Sequence, residues 1–227
     1  MQYTVPLALQ DYMTVVFSGI GMVLLTRMVA QMDRNLGRMA MIGMVLTIAG
    51  GALKATGKLV LALGGPDIAV MNLGLFPLIA PGFTLLAWSL YQVRRIFRNQ
   101  PVQGRPWLVP SVVIGLFAAG CLALGFVGGP WRVPLILLSS IANIAMLLML
   151  ALAAWGRKMW LSGALFLITL VVVVAMSQMA QIPNQTIAMV WGEQLSQTVA
   201  QALFAFAAWH YGQVAVATYR SMVPQMA

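Results

Sequence analysis

The fold class this sequence predicts is all-α, a polytopic membrane bundle of seven transmembrane helices. Three observations lead there: the composition, the length of the apolar runs, and the side on which the basic residues fall. Of 227 residues, 61% are hydrophobic and 7% charged, and mean hydropathy is +0.90. A soluble domain is about 25% charged. Crossing a hydrocarbon core of about 30 Å takes roughly 20 apolar residues in a helix, and seven stretches reach that length. They are long continuous runs without the period-two alternation of barrel strands, which excludes a transmembrane β-barrel.

The spans are expected at 12 to 32, 39 to 63, 68 to 92, 108 to 128, 133 to 155, 160 to 182 and 195 to 217. Span one carries a polar stripe, Asp11, Thr14 and Ser18, at helical spacing. Span two holds Lys54 and Lys58 on the same face as Thr47, beside Gly43, Gly50 and Gly57, small residues that let a neighbouring helix approach closely. Span three is interrupted by Pro77 and Pro81, with Asn72 near its start. Span four has no polar side chain after Ser111 except the thiol of Cys121, and so is expected to face lipid. Span five begins at Pro134 and carries Ser139, Ser140 and Asn143. Span six carries Ser177, Gln178 and Gln181 and ends at Pro183, Asn184 and Gln185. Glu193 opens the seventh segment, whose Gln194, Gln197, Thr198 and Gln201 share one face.

The short connections leave no room for a soluble domain, so residues 1–227 read as a single membrane domain. Arg34, Arg38, Arg94, Arg95, Arg98, Arg105, Arg157, Lys158 and Arg220 all fall on one side of the bundle, whereas the opposite connections carry only Arg132. By the positive-inside rule the amino terminus is expected outside and the carboxyl terminus in the cytoplasm. The net charge of +9 then meets anionic lipids of the inner leaflet, with no call for nucleic acid. No basic segment precedes span one, so a cleavable presequence is not expected.

Laid over each other, spans one to three and five to seven align. Ala87-Trp88-Ser89-Leu90-Tyr91-Gln92-Val93 and Ala208-Trp209-His210-Tyr211-Gly212-Gln213-Val214 both read AWxxxQV, 121 residues apart. The same offset pairs Ser18 with Ser139 and Ile20 with Ile141, and slightly shorter ones pair Gly37-Arg38 with Gly156-Arg157 and Gly43 with Gly163. The expectation is a 3+1+3 parallel repeat, units 12–92 and 133–217 joined by connector helix 108–128. That plan is similar in architecture to the SWEET sugar transporters, a resemblance that implies a central path between three-helix units. No residue motif of that family is present. The topology also resembles that of microbial rhodopsins, which hold retinal on a lysine of the seventh helix, but residues 195–217 contain no lysine.

The costliest residues to place are the two lysines, since a charge near the bilayer centre costs roughly 2.5 to 3.5 kcal/mol on insertion scales and usually faces the bundle interior. Lys58 could snorkel outward on its stem; Lys54 lies about 5 Å past the midpoint of its span at ~1.5 Å per residue and is too deep for that. Asp11, Asp67 and Glu193 sit at the same ends of their spans, and Glu193 is the first choice as partner for Lys54. Amides unsatisfied in hydrocarbon cost several kcal/mol, so the face of the seventh helix is expected to line a cavity opening outward. The candidate ligand-binding residues are Lys54, Lys58, Glu193, Gln197, Gln201, Asn143 and Gln178.

No catalytic residues, metal site or cofactor are expected. The single Cys121 and single His210 cannot build a metal centre or a two-histidine haem site, and the 17 methionines serve as apolar filler. No serine, histidine and aspartate set or intramembrane carboxylate pair suggests hydrolysis, so an enzyme is not the favoured reading. The leading expectation is a transport or permeation protein of the cytoplasmic membrane, with a polar pocket for a small anionic or carbonyl-bearing solute centred on Lys54. The alternative is a non-transporting sensor or an accessory subunit of a larger complex, with Lys54 and Glu193 as a structural ion pair. The partners expected are the lipid bilayer, the small anionic ligand, and a membrane-protein partner or a second copy of the chain.

Overall fold

The computed structural model describes residues 4–179, 182 and 185–222, apart from the side chain of Asn72. Gln181, Pro183 and Asn184, singled out in the sequence, lie outside the described residues, as does the Asn72 side chain. Helices run over Val5–Met32 (α1), Arg34–Ala62 (α2), Ala69–Leu73 (α3), Leu75–Phe97 (α4), Leu108–Phe126 (α5), Val133–Trp155 (α6), Trp160–Met179 (α7) and Ile187–Met222 (α8). Six segments are long and apolar enough to cross a bilayer: α1, α2, α3 with α4, α5, α6 and α7. The chain is a multi-pass helical membrane protein. At 36 residues α8 is the longest helix, but its amides leave it short of the apolar character of those six.

The connections explain several boundaries. A single residue, Asp33, separates α1 from α2: it is extended at φ −151° and its carboxylate accepts a hydrogen bond from the Leu36 amide at 2.8 Å. That cap satisfies one of the amide donors a helix start leaves open. Arg34 and Arg38, expected in a connection, therefore lie in the first turns of α2. The break in the third segment falls at Gly74, between α3 and α4, ahead of the two prolines expected to make it. Pro77 sits in the first turn of α4, where no amide donor is needed, and only Pro81 lies inside the helix.

Packing follows a closed order. α1 packs on α2, α2 on α4, α4 on α6, α6 on α7, α7 on α8 and α8 on α1, while α5 touches α4 and α6 from outside this ring. Helix α5 buries only Pro110. A close crossing joins α2 to α4 through Gly43, Gly50 and Gly82: a methyl group added at Gly82 would lie 2.9 Å from the Gly43 carbonyl oxygen. Close backbone approach of this kind is the packing mode expected where lipid offers no hydrophobic drive between helices.

One half of the ring is filled with apolar side chains. Met28, Val29, Leu36, Leu86, Met146, Leu147, Leu150, Phe166, Phe204 and Tyr211 are almost fully buried there. Phe166 meets Phe204 edge-on at 6.0 Å and Tyr211 at 6.2 Å between ring centroids, the geometry that aromatic quadrupoles prefer.

Candidate functional site

The other half encloses a cavity of about 440 Å³. Its walls come from the amino-terminal halves of α1, α4, α6 and α8 and the carboxyl-terminal halves of α2 and α7, so it occupies one end of the bundle. That end is opposite the one bearing Arg34, Arg38, Arg94, Arg95, Arg157 and Arg220. Its volume falls within the range of roughly 300 to 1,000 Å³ common for small-molecule sites.

All seven sequence-derived candidates, Lys54, Lys58, Glu193, Gln197, Gln201, Asn143 and Gln178, line this cavity. Thr47, Lys54 and Lys58 all point into it from α2, as their shared face required. Two expectations are altered. Thr198 turns away from the cavity to the seam with α1, where it bonds Gln10 Nε2 at 3.0 Å and Thr14 Oγ1 at 2.8 Å. Asp67 lies exposed in the connection between α2 and α3, outside the cavity lining.

The ion pair at the mouth joins Lys58 of α2 to Asp11 of α1 at 2.5 Å, with both side chains mostly buried. Next to it Tyr12 and Thr56 share a hydrogen bond of 2.7 Å across the same pair of helices. Lys58 thus has a carboxylate rather than the lipid interface as its destination. Lys54 and Glu193 share the cavity, but no ion pair or hydrogen bond joins them, and neither has another such partner among the described residues. Lys54 nevertheless lies within electrostatic range of Lys58, Asp11 and Glu193, and part of its surface is open to the cavity.

Several small hydroxyls around the cavity are satisfied by the backbone. Ser18 and Ser139 each donate to the carbonyl three residues back, Ser177 to Val173, and Thr169 to both Leu165 and Ala200. The amides differ: Asn143, Gln178, Gln197 and Gln201 form no hydrogen bond with the described residues. An amide carries two donors and an acceptor with two lone pairs, so this wall presents much unused polar capacity to the cavity.

Hydropathy and polar spacing gave no hint of the apolar part of the lining. Met22, Phe76, Phe83, Met146 and Phe204 line the cavity as well, and Phe204 continues into the aromatic stack with Phe166 and Tyr211. Beyond it Arg157 donates to Tyr211 Oη at 3.2 Å and lies 3.9 Å over the Phe97 ring. A cation over an aromatic face is stabilising where water is scarce. This stack closes the cavity toward the arginine-bearing end. His210 bonds Ser162 Oγ at 2.9 Å and stacks on Phe206, a satisfied interior histidine. The residues that form no metal-binding group include it: no cluster of three metal-ligating side chains occurs among the described residues.

No family model, characterised protein or solved structure matches the chain.

The repeat motif lands in unlike surroundings. Gln92 is fully buried and its Oε1 accepts from the Gln103 amide at 3.4 Å, whereas Gln213 is exposed. Ser18 and Ser139 do match, in both their bonding and their place on the cavity wall.

Proposed function

We propose that this chain is a transport or permeation protein of the cytoplasmic membrane that takes a small anionic or carbonyl-bearing solute into an outward-opening cavity centred on Lys54. One observation carries the reading: Lys54 of α2, Asn143 of α6, Gln178 of α7, and Glu193, Gln197 and Gln201 of α8 converge on one cavity without an ion pair or hydrogen bond to the described residues. A structural network would consume these groups in helix-to-helix hydrogen bonds, because unpaired polar groups in low dielectric are costly. Groups held available toward a cavity suit a polar occupant instead.

In this reading α8 is the seventh span. Its amides face the cavity rather than lipid, which supplies the reason it is less apolar than its neighbours. With seven spans the two termini would lie on opposite sides, and the positive-inside rule favours a cytoplasmic position for the arginine-bearing end. The cavity then opens outward, and the Phe204, Phe166, Tyr211 and Arg157 stack is its inner closure. The six ring helices are read as two three-helix units, α1, α2, α4 and α6, α7, α8, on the sequence repeat and on Ser18 and Ser139, which bond alike and both line the cavity. Lys54 has no charged counterpart in α7, where Val173 and Val174 line the cavity, so the charge is a specialisation of one unit.

The test is uptake and binding of a panel of small carboxylates and neutral carbonyl compounds by the wild type and Lys54→Met in proteoliposomes. At least one solute should be taken up by the wild type, and its uptake should fall at least tenfold in the variant. Unchanged uptake or binding of every solute by a folded Lys54→Met protein refutes the reading.

A further inference from the structure

We infer that the occupant of this cavity is a zwitterion, a small amino acid whose carboxylate meets Lys54 and whose ammonium meets Glu193, with an apolar side chain directed to the aromatic floor. The inference rests on the solute-binding reading above and narrows its ligand class.

Charge bookkeeping within the cavity carries it. The lining holds two cations, Lys54 and Lys58, and two anions, Asp11 and Glu193. Lys58 and Asp11 neutralise each other at the mouth. What remains is one ammonium and one carboxylate on opposite flanks of α1, since α2 and α8 each pack on α1 and not on one another. Lys54 stands eight residues before the end of α2 at Ala62, and Glu193 six residues after the start of α8 at Ile187. Both are thus within about two or three turns of the same end of the bundle. They are more than ion-pair distance apart, yet close enough that Glu193 contributes to the field at Lys54.

A simple anion would gain from Lys54 and be repelled by Glu193, and a simple cation would meet the reverse. Opposite charges separated in a cavity of low dielectric interact strongly with a ligand dipole laid between them, and each charge-assisted hydrogen bond is about twice as strong as a neutral one. A zwitterion satisfies both without leaving either charge uncompensated, which is the costly outcome inside a protein. Gln197 and Gln201 follow Glu193 down the same face of α8 at spacings of four, adding amide donors and acceptors on the Glu193 side of the cavity. Below them, Met22, Phe83, Met146 and Phe204 form an apolar floor that suits a hydrocarbon or aromatic side chain and offers nothing to an inorganic anion.

The experiment measures binding to the purified full-length protein by calorimetry. The probes are the common apolar amino acids, each with its amine-free carboxylate and its carboxylate-free amine. The expected result is at least one amino acid that binds tenfold or more tightly than either of its truncated forms. Glu193→Gln should weaken the amino acid at least tenfold while leaving or improving the bare carboxylate; Lys54→Gln should weaken both acids and spare the amine. The double variant Lys54→Gln with Glu193→Gln removes both charges together and serves where a single variant does not fold; it should lose the preference for the zwitterion. A bare carboxylate that binds as tightly as its amino acid, through Lys54 and with gain in Glu193→Gln, overturns the zwitterion and leaves the solute site standing. Absence of binding by every probe overturns the zwitterion; whether the solute site also falls is decided by the Lys54→Met uptake panel.

Discussion

The two ends of this helical ring are built from the same six helices and behave as different materials. Toward the arginine-bearing end, Met28, Leu86, Leu150, Phe166 and Tyr211 fill the interior and are almost fully buried. Toward the other, the interior of the same helices opens into a cavity lined by Lys54, Glu193, Asn143, Gln197 and Gln201. The difference arises in the sequence of each helix, since α8 changes from an amide-bearing face at Gln194 to Gln201 to an alanine and aromatic face at Phe204 to Tyr211. A filled interior gains dispersion contacts at every atom. A polar cavity gives those up and holds hydrogen-bonding groups ready instead. One end therefore holds the fold, and the other presents polar groups to an open cavity.

That contrast can be broken at the filled end first. Phe166→Ala should destabilise the protein by about 3–5 kcal/mol, the range for deleting a buried aromatic side chain, as read by thermal unfolding in mild detergent. It should also weaken the inner closure, because Phe166 bridges Phe204 and Tyr211. A variant as stable as the wild type would show that the stack is not a packed core.

Gly82→Ala comes next, at about 1–3 kcal/mol, the usual cost of overpacking. Its added methyl would fall 2.9 Å from the Gly43 carbonyl oxygen and 3.0 Å from the Thr47 amide nitrogen, so α2 and α4 must separate. Since Thr47 also lines the cavity, ligand affinity should drop along with melting temperature.

The smallest effect is expected at the mouth. Asp11→Asn removes the carboxylate from Lys58 and should cost about 1 kcal/mol, below the roughly 3–5 kcal/mol of a fully buried pair, because the long Lys58 stem can carry its ammonium out to water at the mouth. A double-mutant cycle with Lys58→Met measures the coupling; a value near zero would assign the pair to charge balance in the cavity rather than to stability.

Much of this was legible in the amino-acid sequence. Segment 133 to 155 coincides with α6, the carboxyl-terminal ends of α1 and α5 fall within two residues of expectation while α1 begins seven residues earlier than expected, and the low burial of α5 accords with its lack of polar side chains. All seven candidate residues reach one cavity because each was chosen as a polar group that lipid could not satisfy. Two kinds of information were missing. Phe83, Phe204 and Met146 carry no signal that separates a cavity floor from ordinary core. Pairing was the other: Asp11, not Glu193, takes a lysine, and the lysine it takes is Lys58.

The sequence by itself determined where the chain is helical and apolar, because partition into a bilayer is a sum over some twenty neighbouring residues and needs no knowledge of the rest. It also fixed which side chains share a face, through the 3.6-residue period. Only the tertiary structure decided which faces meet. Neighbours in a helix differ by about 100° around its axis, so the small rotation set by glycine contacts such as Gly43 with Gly82 selects the partner of each charge. It paired Lys58 with Asp11 and left Lys54 facing the cavity with Glu193 apart from it.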